Sequence, residues 1–540
     1  MKTTNFYSRS FEHRLRDLFI AILIFVSTGS LPAQSFEWID AHPLDYGSNP
    51  AELGSSVCAD PNNNIYFSGL QNQVSGTYGD VFLKKYDNEF NLMDEIVFLG
   101  ECRVFAILSD GNGNLMVSLD TKSEINFSNT EDTIPYLGGF SNTVFIKMND
   151  SMELDWFISK DYNSSGLKGF EMALDAENNI YLGHGSFTNQ SFVTKYDTEG
   201  NQLLQIGQNN VPVISSVSVD SEGNIYSAGS CADADAVFGG TPYDPGFSYS
   251  SYLAKYNSFG EVQWVKFIED VTCPRPKVVA KDPGFVYLSG PLQLPALFDT
   301  IQTTGPSWVY DFYLARLNED GDFLWVREVP EINLGDATIG INNSLGTDEQ
   351  KNVYITGFIR GDIDWGNGLV TNSTSNYYDF LALKYDSEGE LLYARSLGGE
   401  GYDAGTSSFV DGIGNCYLSG TAHGTITVDT SMITPDEGLY AFVVKIGNDI
   451  QTRIPDNPLS GFTVFPNPAV DRITILNPGS KSSGKVNIRI TSLEGKLLIT
   501  KHGINLKESS IDVRQLNKGV YILRISTSSG IVRWTKFVKQ

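Results

Sequence analysis

Short runs in which apolar and polar residues alternate, separated by turn residues, repeat along most of the chain. Segment 379–420 shows the pattern best: Phe380–Tyr385 and Leu391–Leu397 alternate, with an Asp-x-x-Gly turn between them. After a Gly-rich connection, Ser407–Val410 and Cys416–Ser419 follow on either side of a second turn. Alternation with a period of two is typical of β-strands. The segment therefore predicts one small antiparallel sheet, which needs neighbours to be stable.

Two parts of this sheet recur along the chain. The turn-plus-strand part, an Asp followed by Asn-apolar-Tyr and Gly or a looser version of it, occupies segments 60–69, 110–119, 175–183, 220–229, 282–290, 348–357 and 411–420. The hairpin part occupies segments 80–93, 143–156, 191–204, 251–264, 311–325 and 379–393, and a seventh copy, Ala441–Ile446, ends after one strand. Seven copies spaced roughly 45 to 67 residues apart predict stacked units or a ring of blades.

The two ends of this region favour a ring. Residues Ser35–His42, SFEWIDAH, are similar to the second strand of the hairpin part, which the seventh copy lacks. They can supply it only if the first and last copies are neighbours, and a closed ring also hides the sheet edges. The sequence therefore predicts an all-β protein in which residues 35–447 form a seven-bladed β-propeller closed by the N-terminal strand. The repeated Asp-x-x-Gly-Asn-x-Tyr and aromatic-x-x-Lys-Tyr-Asp-x-x-Gly patterns resemble the SBBP-type β-propeller repeat of secreted bacterial proteins.

The two faces of such a ring differ. The short Asp-x-x-Gly turns, between strands one and two and between strands three and four, lie on one face. The longer connections lie on the other, which we call the long-loop face, and they include Ala232–Ser250, Pro291–Tyr310 and Arg360–Tyr378. Loops on a rigid scaffold commonly carry binding sites. This face is the candidate recognition surface, and ordinary loop variation is the alternative. The Tyr that recurs in the second strands is expected to pack between blades.

Residues 1–34 have the features of a secretory signal peptide. Basic residues including Lys2 and Arg16 precede an unbroken apolar run, Leu18–Val26, and Ala33 offers a small residue for cleavage. The run is too short to span a bilayer, and no other segment approaches transmembrane length. A buried core helix is the alternative interpretation.

The pattern changes after Ile446. Residues 448–461 form a polar, Pro-containing linker, and residues 462–540 contain about seven short strands in a basic segment. Many short strands in so few residues predict a small immunoglobulin-like β-sandwich.

Four motifs in this last segment occur together. They are Phe465-Pro466-Asn467-Pro468, Leu493-x-Gly495-Lys496, Leu516-x-x-Gly519-x-Tyr521 and Lys536-Phe537-Val538. The combination resembles the type A C-terminal sorting domain of the type IX secretion system. The resemblance implies that Pro466, Asn467, Pro468, Gly495, Gly519, Tyr521 and Lys536 form a sorting motif. It also implies two partners, the secretion machinery and a sortase-like cysteine protease that removes the domain, and a cargo that is released or joined to an anionic surface polysaccharide.

Charge separates the two regions. Residues 35–455 carry 21 Lys and Arg against 57 Asp and Glu, whereas residues 456–540 carry 13 against 5. An acidic surface repels phosphate backbones and anionic lipids, which excludes nucleic acid as a partner of the ring.

Candidate catalytic residues are few. The chain has five His, of which His13 and His502 fall in the predicted signal peptide and sorting domain. His184 and His423 are expected on the long-loop face, in blades three and seven, where exposed loop side chains are a better interpretation than a metal pair. No nucleophile motif stands out. Asp60-Pro-Asn-Asn-Asn and Asp110-Gly-Asn-Gly-Asn resemble the start of a calcium loop, but turns in which Asp bonds its own backbone are expected instead. No cofactor is predicted, and calcium is the alternative.

The cysteines predict one disulfide. Cys231 and Cys273 should both lie on the long-loop face of blade four, and secreted proteins favour disulfides. Cys58 and Cys416 fall within strands and are expected to be buried thiols.

Three functional classes remain open. The leading hypothesis is a secreted or surface-exposed, non-enzymatic module that binds glycan or protein. A polysaccharide hydrolase or lyase that uses propeller carboxylates and a structural envelope component are the alternatives.

Overall fold

The protein is described by a computed structural model. The regular elements of the described residues are all β-strands, joined by turns and irregular connections. The described residues are 36–44, 55–75, 77–162, 170–185, 189–231, 235–244, 246, 250–269, 275–305, 311–330, 335–340, 342–366, 369–373, 377–399, 401–411, 414–428, 431–433, 438–446, 463–476, 485–492, 497–505, 508–527 and 532–540. The predicted signal peptide and linker lie outside them. The chain divides into an N-terminal part, Met1–Asn448, and a C-terminal part, Asp449–Gln540.

Antiparallel arrays, each built on a row of four paired strands, recur through the N-terminal part, and we number them in chain order. Array 1 contains Ser56–Ala59, Ile65–Ser75, Tyr78–Tyr86 and the start of Leu92–Ser109; array 2 contains the end of that long strand, Leu115–Thr121, Ser141–Met148 and Leu154–Tyr162; array 3 contains Glu171–Leu174, Ile180–Gly185, Gln190–Tyr196 and Gln202–Asn209; array 4 contains Val213–Val219, Ile225–Cys231, Ser250–Tyr256 and Val262–Glu269; array 5 contains Lys277–Asp282, Phe285–Leu292, Asp311–Leu317 and Phe323–Glu328; array 6 contains Asp336–Ile339 with Leu345–Thr347, Val353–Arg360, Asp379–Tyr385 and Leu391–Leu397; array 7 contains Ala404–Val410, Cys416–His423, Leu439–Ile446 and Phe36–Leu44.

The N-terminal strand completes array 7, as the sequence predicts. Phe36–Leu44 pairs antiparallel with Leu439–Ile446, and Phe36 lies opposite Ile446 and Ala41 opposite Phe442. The predicted pairing of the chain's first strand with its last copy is therefore confirmed.

The first strands of the arrays contact one another in cyclic order. Each touches the first strand of the next array, and Ser56–Ala59 of array 1 also touches Ala404–Val410 of array 7. Small polar side chains join these neighbours: Ser55 Oγ lies 2.7 Å from Thr406 Oγ1, and Ser215 Oγ donates to the Pro276 carbonyl at 2.7 Å. Short side chains let the first strands approach closely.

Apolar cores lie between consecutive arrays. The Tyr of the second strand takes part in four of them: Tyr226 packs with array 5, Tyr287 with array 6, Tyr354 with array 7 and Tyr417 with array 1. These rings are almost fully buried. The predicted packing role of the repeated Tyr is confirmed for these four.

Tryptophans in the fourth strands link neighbouring arrays. Trp156 Nε1 donates to the Thr198 carbonyl at 3.0 Å, Trp264 Nε1 to Glu319 at 2.9 Å and Trp325 Nε1 to Ser387 at 3.1 Å. Each acceptor belongs to the turn between the third and fourth strands of the next array. The Gly of that turn has a positive φ and faces the indole ring.

The connections between second and third strands contain short hairpins in segments that the sequence predicts to be loops. They are Ile125–Phe127 with Thr133–Ile134, Ala236–Phe238 with Thr241–Tyr243, Leu297–Phe298 with Ile301–Gln302, Asp362–Gly366 with Leu369–Asn372, and Ile426–Val428 with Ser431–Ile433. Phe127, Phe238 and Phe298 are buried in the cores. Much of the candidate recognition surface is therefore packed structure.

The C-terminal part consists of two antiparallel sheets. One contains Thr463–Phe465, Arg472–Leu476 and Glu508–Asp512; the other contains Lys485–Ser492, Leu497–Asn505, Gly519–Thr527 and Val532–Lys539. Ile473 and Ile475 from the first sheet and Ile488, Leu523 and Phe537 from the second share one core. The expected number of strands is found, whereas the immunoglobulin-like topology stays a prediction.

Candidate functional site

The Asp residues of the short turns bond their own backbone. Asp60 Oδ1 accepts from the amides of Asn62 and Asn64 at 2.8 and 2.9 Å, and Oδ2 accepts from Asn64 Nδ2 at 2.7 Å. Asp110 repeats this arrangement with Asn112 and Asn114. Both carboxylates are thus occupied by turn hydrogen bonds, as the sequence predicts for structural turns. Among the described residues, no group of three or more His, Cys, Asp or Glu is placed to hold a metal.

His184 is buried, so the expectation of an exposed loop side chain is wrong for it. It lies at the end of strand Ile180–Gly185, where its Nδ1–H donates to the Gly185 carbonyl at 3.2 Å and its Nε2 accepts from Lys160 Nζ at 3.0 Å. Burial first and the Lys160 charge second lower the pKa of His184 to about 4. The neutral imidazole thus joins Lys160 to the end of its own strand inside a packed region. His423 is exposed, as expected.

The cysteine predictions meet different outcomes. Cys58 and Cys416 are buried free thiols, as expected, and burial raises the pKa of each. Cys273 and the side chain of Cys231 lie outside the described residues, so their disulfide stays a prediction.

A cavity of about 520 Å³ is lined by the first strands of several arrays. Its walls combine apolar side chains, such as Leu108, Val217 and Phe409, with polar ones, such as Ser216 and Lys281. Asp175 and Asp220 also border it, but both are engaged in turn hydrogen bonds. The cavity therefore has a mixed apolar and polar lining, and its two bordering carboxylates hold turns.

Aromatic side chains form a connected group where the long connections of arrays 6 and 7 meet. The centroid of the Tyr402 ring lies 5.1 Å from that of Tyr377 and 5.7 Å from that of Tyr378, and Phe358 contacts Tyr378 edge to face at 4.8 Å. Tyr377 is 47% exposed and Tyr402 39% exposed. We call Tyr377, Tyr378 and Tyr402 the tyrosine cluster.

Polar contacts fix the tyrosine cluster in place. The guanidinium carbon of Arg360 lies 5.0 Å from the centroid of Tyr378, and Arg360 forms an ion pair with the buried Asp336. The amide of Asp403 donates to the Tyr378 carbonyl at 2.7 Å, which ties the two connections together. Sequence reasoning missed this cluster, although Tyr-Asp occurs at both Tyr378-Asp379 and Tyr402-Asp403.

Asp403 is a buried carboxyl beside the tyrosine cluster. Its Oδ1 accepts from the His423 amide at 2.8 Å and its Oδ2 from the Gly399 amide at 2.5 Å. Burial raises the pKa of Asp403 to about 7, although the two amides oppose this shift, and the nearby Asp379 charge adds to it. A carboxyl that titrates near neutrality is a candidate general acid.

The first predicted sorting motif, the Pro-Asn-Pro segment, is held against the C-terminal strand. The side chain of Asn467 accepts from the Val538 amide through Oδ1 at 2.8 Å. The Ala469 amide donates to the Val538 carbonyl at 2.7 Å, and the Gln540 amide donates to the Ala469 carbonyl at 2.8 Å. The peptide bonds before Pro466 and Pro468 are both cis. The structure thus brings the Pro-Asn-Pro segment and the C-terminal strand together.

The other residues of the predicted sorting motif have separate positions. Tyr521 is buried, its hydroxyl donates to the Asn517 carbonyl at 2.8 Å, and its ring stacks on Phe537 with 5.7 Å between centroids. Gly519 is exposed at the start of strand Gly519–Thr527. Gly495 and the side chain of Lys536 lie outside the described residues. Tyr521 therefore supports the domain core, whereas Asn467 organises its surface.

A comparison with protein families identifies the C-terminal module. Residues 463–540 match Por_Secre_tail, the secretion system C-terminal sorting domain. The match marks the protein for type IX export to the cell surface or extracellular space, which implies contact with the type IX machinery. No helix among the described residues is long and apolar enough to cross a membrane.

Solved structures overlap the chain at low identity. A fungal alcohol oxidase of the AA5 family in complex with copper shares 13% identity over 81% of this chain and 96% of its own, with a TM-score of 0.30. PorZ, a surface component of the type IX secretion system of Porphyromonas gingivalis, shares 11% identity over 92% of this chain and 82% of its own, with a TM-score of 0.22. The extracellular domain of BT4673 from B. thetaiotaomicron shares 10% identity over 94% of this chain and 99% of its own, with a TM-score of 0.20. A search of curated proteins gave no match.

Proposed function

We propose that this exported protein is a non-enzymatic binding module, a seven-bladed β-propeller that recognises a glycan or protein ligand through its long-loop face. The observation that carries the proposal is the pairing of Phe36–Leu44 with Leu439–Ile446, because it joins the first and last repeats. Cyclic contact between the first strands and the core shared by arrays 7 and 1 also support a closed ring. In a closed ring, the long connections of all arrays meet on one face.

The route to the surface is part of the proposal. The N-terminal segment, residues 1–34, acts as the signal peptide, and residues 462–540 are read by the secretion machinery and removed by its sortase-like protease. The positive charge of this terminal segment distinguishes it from its acidic cargo. Mass spectrometry of the surface and medium fractions of the producing cell tests this step, because loss of residues 462–540 from the exported protein is expected.

A binding role fits the titratable groups better than catalysis does. The turn carboxylates are occupied by backbone amides, and His184 is buried and neutral. The observation that favours a polysaccharide hydrolase or lyase is Asp403, with its raised pKa and Asp379 nearby. Both oxygens of Asp403 accept backbone amides, which suits a role in holding two connections together.

A glycan array and a polysaccharide turnover assay with the same full-length protein separate the functions. Saturable binding without products supports the binding module. Products that disappear in Asp403→Asn support the enzyme. Absence of both binding and products supports a structural envelope component and overturns the proposal.

A further inference from the structure

We propose that the tyrosine cluster is a stacking site for pyranose rings of a neutral polysaccharide. This inference rests on the proposed binding function and assigns a ligand class and a place to it. Monomeric proteins usually expose apolar side chains singly, and contiguous exposed patches commonly mark binding sites. Tyr377 and Tyr402 are both exposed, their ring centroids lie 5.1 Å apart, and they come from different connections.

The site is built before any ligand arrives. Phe358 packs edge to face against Tyr378, and the hydrogen bond from the Asp403 amide to the Tyr378 carbonyl joins the two connections. The tilted contacts of the Tyr402 ring with the rings of Tyr377 and Tyr378 restrict the orientation of all three side chains. A rigid aromatic surface loses little conformational entropy on binding, which favours affinity for a weakly interacting ligand.

The chemistry of the surface matches a sugar ring. A pyranose presents C–H groups on its faces and hydroxyl groups around its edge. The faces can pack on the aromatic rings, and a fixed guanidinium beside them, that of Arg360, can donate hydrogen bonds to hydroxyl oxygens. Tyrosine hydroxyls can both donate and accept.

Charge selects a neutral sugar. The ion pair with Asp336 neutralises Arg360, so the site has no spare positive charge from that side chain. Residues 35–455 carry 57 acidic against 21 basic side chains, a balance that repels anionic polysaccharides. Uronic-acid polymers and phosphorylated glycans are therefore disfavoured.

The test measures binding of the full-length protein to cellohexaose, xylohexaose, mannohexaose, laminarihexaose and polygalacturonate by isothermal titration calorimetry. We expect saturable binding to at least one neutral hexasaccharide, weakened about tenfold or more by Tyr377→Ala or Tyr402→Ala, as for aromatic hot spots. Phe259→Ala is the matched control, because Phe259 is 81% exposed but lies in a short turn. This control should leave the affinity unchanged.

The outcomes separate this inference from the proposed function. Equal affinity for wild type and both tyrosine variants, or binding of polygalacturonate alone, overturns the inference while the binding function stands. Absence of every ligand from the array and the titrations overturns both. Thermal unfolding midpoints of the variants near that of wild type exclude misfolding as the cause of lost binding, and Tyr377→Phe and Tyr402→Phe should retain most of the affinity.

Discussion

The Gly of the turn between strands three and four should be hard to replace. Gly321 has a φ of 86°, and a Cβ placed on it would lie 2.8 Å from Cδ2 of Trp264 in the preceding array. Gly223, in the turn between strands one and two of array 4, has a similar φ of 79°, but its Cβ would lie 3.6 Å from Ser258 Cβ. The two positions differ in crowding and share the same backbone requirement.

This difference in crowding should give the two Gly→Ala substitutions different costs in stability. A left-handed conformation costs an L-residue about 1–2 kcal/mol, and both Gly321→Ala and Gly223→Ala incur that cost. Crowding in a packed interface adds about 1–3 kcal/mol, and only Gly321→Ala incurs it. We therefore expect Gly321→Ala to lower the free energy of unfolding by about 2–5 kcal/mol and Gly223→Ala by about 1–2 kcal/mol.

Urea denaturation followed by tryptophan fluorescence measures both losses, because Trp264 itself reports on the crowded contact. Adding Trp264→Leu removes the indole ring, so Gly321→Ala should cost less in that background than in wild type. Equal losses for Gly321→Ala and Gly223→Ala, or an unchanged cost in the Trp264→Leu background, would refute the proposed contact between neighbouring arrays.

Four further predictions concern pH, closure and sorting. The pKa of His184 is lowered to about 4, so its contribution to stability should be complete above about pH 6.5 and decrease as the pH falls towards 4. His184→Gln should remove this part of the pH dependence of the urea midpoint, and an unchanged dependence would contradict the prediction. The pKa of Asp403 is raised to about 7, so its contribution has the opposite sign and should be lost as the pH rises from about 4 to 7; Asp403→Asn should remove that slope, and identical slopes contradict it. A chain that begins at residue 45 leaves Leu439–Ile446 as an unpaired edge and should aggregate in size-exclusion chromatography, whereas a monomer contradicts closure. Asn467→Ala removes the acceptor of the Val538 amide, so it should destabilise the C-terminal part by about 1 kcal/mol and speed hydrogen exchange of that amide. Asn467→Asp keeps an acceptor and should do neither. Equal hydrogen-exchange rates in the two variants would contradict the contact.

The strands that depend on local patterns were predictable. Leu391–Leu397 has the same bounds in the sequence analysis and in the structure, because alternation and an Asp-x-x-Gly turn specify it within a few residues. The turn role of Asp60 follows equally from local chemistry, since its partners lie two and four residues away. The short hairpins, such as Ala236–Phe238 with Thr241–Tyr243, were missed because three residues are too few to show an alternation.

The sequence alone determined the all-β class, the repeat, the pairing of the first strand with the last copy, and the sorting module, because each is written in residue types at short or regular spacing. Only the tertiary structure decided that His184 is buried, that Tyr377 and Tyr402 meet, and that Asn467 binds the amide of Val538. These features join residues distant in sequence or depend on which segments cover a side chain. Such contacts form only when strands pair and arrays pack, so a local pattern of residues does not predict them.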